Sequence, residues 1–315
     1  MNSRAVIAAL NDDQKTNDRD VANFLKVAHK KRDLDEVEFG TFTDFLTANQ
    51  LKDGPVAKNA STLLNVLKSA NMDFYEDYLK EIENRGIRFI TIFDEEYPAL
   101  LREISDPPLG LYVKGDVETL SKCVAIVGTR KAKENRIEFA RQIANELVDL
   151  GYTVASGLAT GIDTAAHEGA LDAGGDTVAI LPGEVEEIYP SSNTSLAKRI
   201  PNNGALVSEV SPEVDIHRGR FVDRNRITSG ISEAVVIGAS GETGGTVHQA
   251  KFATNQERRV LLYNPPNLRD GQSPAKLTRM GAIQFSTLKE LREKIQADEE
   301  DLDKEKYEEF TLEDF

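Results

Sequence analysis

Two kinds of hydrophobic spacing divide this chain. In the first 85 residues, apolar positions recur three and four apart, the spacing of one helix face. The run NASTLLNVLKSANMDFYEDYLKEIENRG carries Leu63, Leu64, Val66, Leu67, Phe74, Tyr75 and Leu79 in that register, and DVANFLKVAHKKRDLDEV reads as helical too. Between them, LKDGPVAKNASTLL places a Gly-Pro turn before a helix. That is either an ordinary helix-loop-helix connection or a helix-hairpin-helix that grips a DNA backbone. At Ile87–Phe93 the spacing changes to the alternation of a strand, IRFITIF. The next segment, DEEYPALLREISDPPLGLYVKGD, is rich in turn formers.

From Cys123 onward, short runs of Val, Ile and Ala are bounded by polar and glycine positions: VAIVG, TVASG, TVAIL, ALVSE, AVVIG and VLLY. Such runs are what strands buried on both faces look like. Helices are predicted between them at about 135–150, 162–173, 195–200, 225–232 and 246–254. A last helix at 288–295 precedes an acidic tail, DEEDLDKEKYEEFTLEDF, expected to be solvated. Strands alternating with helices predict an α/β fold: an extended Rossmann-like, doubly wound, mostly parallel sheet with a small helical N-terminal region. The expected divisions are 1–85 helical, 86–286 Rossmann-like, and 287–315 a helix and acidic tail.

In an open α/β sheet, ligands sit at the carboxyl ends of the strands. Three of those ends carry loops suited to phosphate. In Gly128-Thr129-Arg130, a glycine admits close approach, a hydroxyl donates a hydrogen bond, and an arginine supplies a bidentate charge. Ser156-Gly157-Leu158-Ala159-Thr160-Gly161 opens a helix whose first amides suit an anion. Gly241-Glu242-Thr243-Gly244-Gly245-Thr246 also precedes a helix. A glycine at such a turn serves either a ligand or geometry alone. Arg218, Arg220, Arg224 and Arg226, with Asn225 among them, form a footprint for a polyanion at a predicted helix start. Their other use is ion pairing with Glu209, Glu213, Asp215 and Asp223, and at least one arginine is expected there. Phe221 either stacks a base or closes the core. His167, with Asp163 one helical turn before it, is either an acid–base group or, as expected, half of a pair that locks its loop, the aspartate by capping and the histidine by bonding to the neighbouring strand.

Net charge is −15 over 315 residues, which at first argues against nucleic acid. The acid lies in the flanks: residues 121–265 carry 15 basic and 18 acidic side chains. A local basic cleft is compatible with that balance, because binding follows local potential. Cys123 is the single cysteine, so no internal disulfide forms, and it is expected to be a buried small hydrophobe. Four histidines and one cysteine make no metal-ligand cluster. No G-x-x-x-x-G-K-[ST] string occurs, so neither ATP hydrolysis nor a cofactor is expected. No signal peptide and no run long enough to cross a bilayer is read, and a cytoplasmic protein is expected.

Taken in order, DEEYPALLREISDPPLGLYVKGD, VAIVGTR, SGLATGIDTAAHEGALDAGGDTVAILPG, EEIYPSSN, LVSE and FVDRNRI closely resemble the DNA-processing protein A (DprA/Smf) family over about 87–263. The resemblance implies an extended Rossmann fold that binds single-stranded DNA, forms homodimers, and helps load a RecA-type recombinase in natural transformation. It implies no catalytic activity. The family's phosphate pocket maps onto Gly128, Thr129 and Arg130, onto Ser156 and Gly157, and onto Arg224, Asn225 and Arg226; Gly244, Gly245 and Thr246 join it from the last loop. Two positions depart from the pattern: Val222 stands where the family has proline, and Thr243-Gly244-Gly245-Thr246 where it has a Ser-Gly-Ser-like loop. Two other functions are weighed, a nucleotide phosphoribohydrolase of the same superfamily and a nucleotide-binding sensor. The hydrolase signature P-G-G-x-G-T-x-x-E has its working glutamate where this chain has Gln249, and an amide is no general base at neutral pH.

Overall fold

Short β-branched runs line up as nine strands among the residues described, which in this computed structural model are 3–13, 55–266 and 270–297. The strands are β1 (Ile87–Thr91), β2 (Gly110–Gly115), β3 (Cys123–Gly128), β4 (Thr153–Ser156), β5 (Thr177–Leu181), β6 (Gly204–Ser208), β7 (Ser232–Ala239), β8 (Arg259–Tyr263) and β9 (Ile283–Phe285). They form one sheet in the order β1-β2-β6-β5-β4-β3-β7-β8-β9. β2 runs antiparallel to both its neighbours, and the other neighbouring pairs are parallel. Among the described residues, three helices precede the sheet: α1 (Ser3–Asp12), α2 (Pro55–Ser69) and α3 (Met72–Asn84). The rest follow strands in turn: α4 (Ala99–Glu103), α5 (Glu134–Asp149), α6 (Ile162–Asp172), α7 (Thr194–Arg199), α8 (Arg218–Gly230), α9 (Gly245–Asn255), α10 (Ala275–Arg279) and α11 (Leu288–Gln296). The predicted helix DVANFLKVAHKKRDLDEV, the part of LKDGPVAKNASTLL before Pro55, and the acidic tail after residue 297 lie outside the described residues.

Alternation along each strand sends successive side chains to opposite faces. Val124 and Ile126 of β3, with Val154 and Val236, pack with α5, α6 and α11 on one face. Ala125 and Val127, with Val235 and Ile237, belong to the core of the other face, which takes in Ile227 of α8, Ala250 of α9 and apolar residues of α1 to α3. Full burial on both faces explains the unbroken apolar runs in the sequence.

Polar side chains stitch α1 to the sheet. Arg4 binds both carboxylate oxygens of Asp94 at 2.9 Å and the Phe89 carbonyl at 2.6 Å. Asn11 accepts from the Gly110 amide at 2.9 Å and donates to the Glu209 carbonyl. Asp12 is held by the Ser211 amide, the Ser211 hydroxyl and the Tyr75 hydroxyl. Burial pushes the Asp12 carboxyl up to about 6, against those hydrogen bonds and the charge of Arg220.

Four elements differ from the sequence expectation. α8 begins at Arg218 rather than near 225. Arg220, Arg224, Asn225, Arg226, Thr228 and Ser229 are all buried in it, so the helix has no apolar stripe to read. The turn-rich segment before Cys123 holds α4 and β2; β2 is enclosed between β1 and β6, where tertiary pairing outweighs local turn propensity. After VLLY comes one more strand, β9, whose three residues are too few to make a pattern. Among the described residues no helix is long and apolar enough to cross a membrane.

Candidate phosphate-binding cleft

The chain leaves β3 for β4 on one side and later returns to β7 on the other. The loops after β3 and β7 therefore part, and a crevice opens between them, as expected where strand order reverses. It has a volume of about 450 Å³. Its walls are Gly128 to Lys131 at and after the end of β3, Gly157, Ala159 and Asp163 after β4, Phe221, Val222, Arg224, Asn225 and Thr228 of α8, and Gly241, Thr243 to Thr246 and Gln249 around the start of α9. The charged lining consists of Arg130, Lys131 and Arg224 against the carboxylate of Asp163. A chain of strongly negative total charge thus presents a locally positive cleft.

Arg224 lies buried in this wall. Its Nη1 donates to the Ile180 carbonyl at 2.9 Å. To reach it, the guanidinium crosses Gly157, where a Cβ would fall 1.5 Å from Nη1. The glycine of SGLATG and the arginine of RNR are therefore one structural unit. The Nε of Arg224 is buried without a hydrogen-bond partner. Burial lowers the guanidinium's hold on its proton, Asp163 opposes this, and Arg130 adds to it. Asp163 is pushed the other way: burial raises its carboxyl, while Arg224 and the amides of Ala159, Gly157 and Gly128 restrain the rise. A phosphate oxygen entering here would meet a cation whose burial is incompletely compensated.

The glycines divide by role. A Cβ at Gly128 would lie 2.4 Å from Cγ1 of Ile162, so this glycine serves close packing of α6 on β3. At Gly244 and Gly245 a Cβ would meet nothing within 4 Å, and Gly244 has φ +110°. That loop leads into α9, with Gly245 and Thr246 on the cleft wall. Unpaired amides and the dipole at a helix start favour an anion. Thr129 donates its amide to the Ala239 carbonyl at 2.9 Å, tying the two loops together, and its Oγ1 accepts from the Lys131 amide at 3.2 Å.

Two expected site residues lie elsewhere. The Ser156 hydroxyl is buried and donates to the Ile126 carbonyl at 2.6 Å. Arg226 pairs with Glu209 and, at 3.2 Å, with Asp106. Residues two apart on a helix diverge by about 200°, and here Arg226 is turned toward Glu209 and Asp106 while Arg224 faces the cleft. The structural use expected for at least one arginine thus falls on Arg226. Arg220 is buried and Arg218 exposed, and neither lines the cleft. Arg224 alone of the four does, with Asn225 beside it and Arg130 across from the β3 loop.

At the rim, Arg130 is exposed and sits over the Phe221 ring, 5.6 Å from its centroid. Tyr189 meets Phe221 nearly edge to face at 5.3 Å. Lys131 and Tyr189 were not singled out from the sequence. The signal for both was their place in loops at strand carboxyl ends.

His167 Nδ1 lies 2.7 Å from Thr177 Oγ1, whose hydroxyl donates to the Val154 carbonyl. The hydroxyl proton being committed, Nδ1 carries the imidazole proton and donates. Burial and the Arg224 charge hold the imidazole down to about 3, so it is neutral. It ties α6 to β5, as expected of it. Gln249 Nε2 donates to the Asn225 carbonyl at 3.0 Å, clamping α9 to α8. Among the described residues, no group of three or more His, Cys, Asp or Glu could hold a metal.

Residues 88–296 match the family described as DNA recombination-mediator protein A. The chain is 34% identical over 221 residues to the DNA processing protein DprA of Bacillus subtilis, covering 69% of this chain and 74% of that one. It is 35% identical over 211 residues to the protein Smf of Synechocystis, covering 65% of this chain and 53% of that one. The crystal structure of DNA processing protein A from Streptococcus pneumoniae superposes with a TM-score of 0.74 at 23% identity, over 92% of this chain and 96% of that one. The solved structure of DNA processing protein A from Helicobacter pylori gives 0.59 at 27% identity, over 66% of this chain and 95% of that one.

Proposed function

The chain belongs to the DNA recombination-mediator protein A family, and from that premise we propose that its cleft holds single-stranded DNA by the phosphates. The observation that carries this reading is Arg224, buried in the cleft wall with Nε unpaired. Arg130 and Lys131 at the mouth, and the amides at the start of α9, add anion affinity around it. The Helicobacter pylori DNA processing protein A has a single-stranded DNA binding mode described as unique, and the same class of ligand is proposed here. The resident side chains are arranged to hold and not to transform. Gln249 spends its amide on the Asn225 carbonyl, and Asp163 lies buried beneath backbone amides and Arg224. A RecA-type recombinase and a second copy of the chain are carried as partners, and a cytoplasmic site of action with them, on the strength of the family alone.

Ligand length tests the reading against a mononucleotide site. Fluorescence anisotropy with oligothymidylates of increasing length should show affinity rising with each added nucleotide until the site is filled. Nucleoside monophosphates should compete weakly and release no free base. Equal affinity for a mononucleotide and a long strand would make the cleft a nucleotide sensor, and release of base would make it a hydrolase.

A further inference from the structure

We propose that Tyr189 is a base-stacking residue, extending the phosphate cleft into a second subsite that holds a nucleobase. The inference rests on the reading of the cleft as a single-strand site. Among the described residues, Tyr189 is the large hydrophobic side chain left exposed, with 50% of its surface open. It stands at the rim of the cleft, past Phe221. Phe221 itself is half-buried and already engaged, with the Arg130 guanidinium above its ring and Tyr189 against it. The ring still free to receive a ligand is therefore Tyr189.

The loop that carries the tyrosine is braced on both sides. Upstream, Glu184 accepts from the Tyr78 hydroxyl at 3.2 Å, and Glu186 pairs with Arg85 and Lys114. Downstream, Asn193 donates to the Leu158 carbonyl and to Thr164 Oγ1, both at 2.8 Å. Leu158 and Thr164 belong to the segment that runs from β4 through the cleft wall into α6, so the loop that bears the ring is tied to the phosphate pocket. A ring presented this way loses little entropy when a base settles on it. Arg130 at the same rim supplies the phosphate contact next to that base. Every base has a π-face, so the subsite is tolerant of sequence.

The chain has no tryptophan, which makes the test direct. A Tyr189→Trp variant carries one indole, at the subsite. Saturation with an oligothymidylate, followed independently by anisotropy, should quench that indole. A strand of abasic residues should bind through its phosphates and leave the emission unchanged. Tyr189→Ala should weaken binding of the oligothymidylate by about tenfold at an unchanged melting temperature, and Tyr189→Phe should retain parental affinity because the ring and not the hydroxyl does the binding. Saturated binding without quenching, or Tyr189→Ala binding as the parent does, would overturn the subsite while leaving the cleft intact. A parent protein that binds no strand at all would overturn the cleft reading, and this inference with it.

Discussion

Arg224 and Arg226 stand two positions apart in one motif, and the structure gives them different work. Arg224 lines the cleft, while Arg226 sits between Glu209 and Asp106 on another side of the same helix. Arg130 is exposed at the cleft mouth and has its main contact with a ring. Alanine substitution should separate these roles. Arg130→Ala should melt as the parent does, and strand affinity should fall about tenfold through loss of one charge-assisted hydrogen bond. The slope of log affinity against log salt should become shallower by about 0.7. Arg226→Ala should lose about 3–5 kcal/mol of stability, because it removes the guanidinium that pairs with the buried Glu209 carboxylate. The salt slope of the folded protein should stay as it was. Urea unfolding and salt-dependent anisotropy read both quantities; a shallower slope for Arg226→Ala would place that arginine on the ligand. In sequence, the four arginines could be seen as a group, yet their division could not, since it depends on where α8 begins. Ser156 illustrates the same limit. Hydroxyl and glycine are adjacent in the motif, but strand alternation turns the serine into the sheet and leaves only Gly157 on the cleft wall.

At the scale of elements, the strands buried on both faces were the most legible, because burial there favours short runs dominated by Val, Ile, Leu and Ala. The start of α8 and the strand β2 were hidden, one by buried polar residues and the other by pairing across distant segments. A buried ion pair of the same hidden kind fixes α5 to the segment after β8. Arg136 is fully buried and binds both carboxylate oxygens of Asp270 at 2.7 and 2.9 Å, as well as the Tyr263 carbonyl at 2.9 Å. Replacing Arg136 by leucine strands the aspartate and should cost about 3–5 kcal/mol. Adding Asp270→Leu should recover part of that loss, since the uncompensated charge is then gone. Hydrogen bonds from Arg136 hold the Asp270 carboxyl below the usual carboxylate range. Its stabilising contribution is therefore complete above the unfolded carboxylate pKa and declines as pH falls toward the lowered folded value. Parental stability in Arg136→Leu, measured by urea unfolding at neutral pH, would show that the pair is dispensable.

Across the whole molecule, total charge is a poor guide to the ligand. The chain carries −15, while the cleft opens three cations against one carboxylate. The reversal of strand order around β3 determines where those cations meet, and a low-dielectric wall strengthens their field. The acidic remainder repels a second polyanion surface, which disfavours a broad, rigid duplex more than a strand that threads one crevice. The shape and charge of the cleft thus require a preference for the single strand. Its most direct test is competition between a labelled oligothymidylate and an unlabelled duplex of equal length, at two salt concentrations. The duplex should compete at least about tenfold less well than an unlabelled single strand, and affinity for the strand should fall with salt at a slope of about −0.7 per phosphate neutralised. Duplex competing as well as the strand, or binding indifferent to salt, would contradict it.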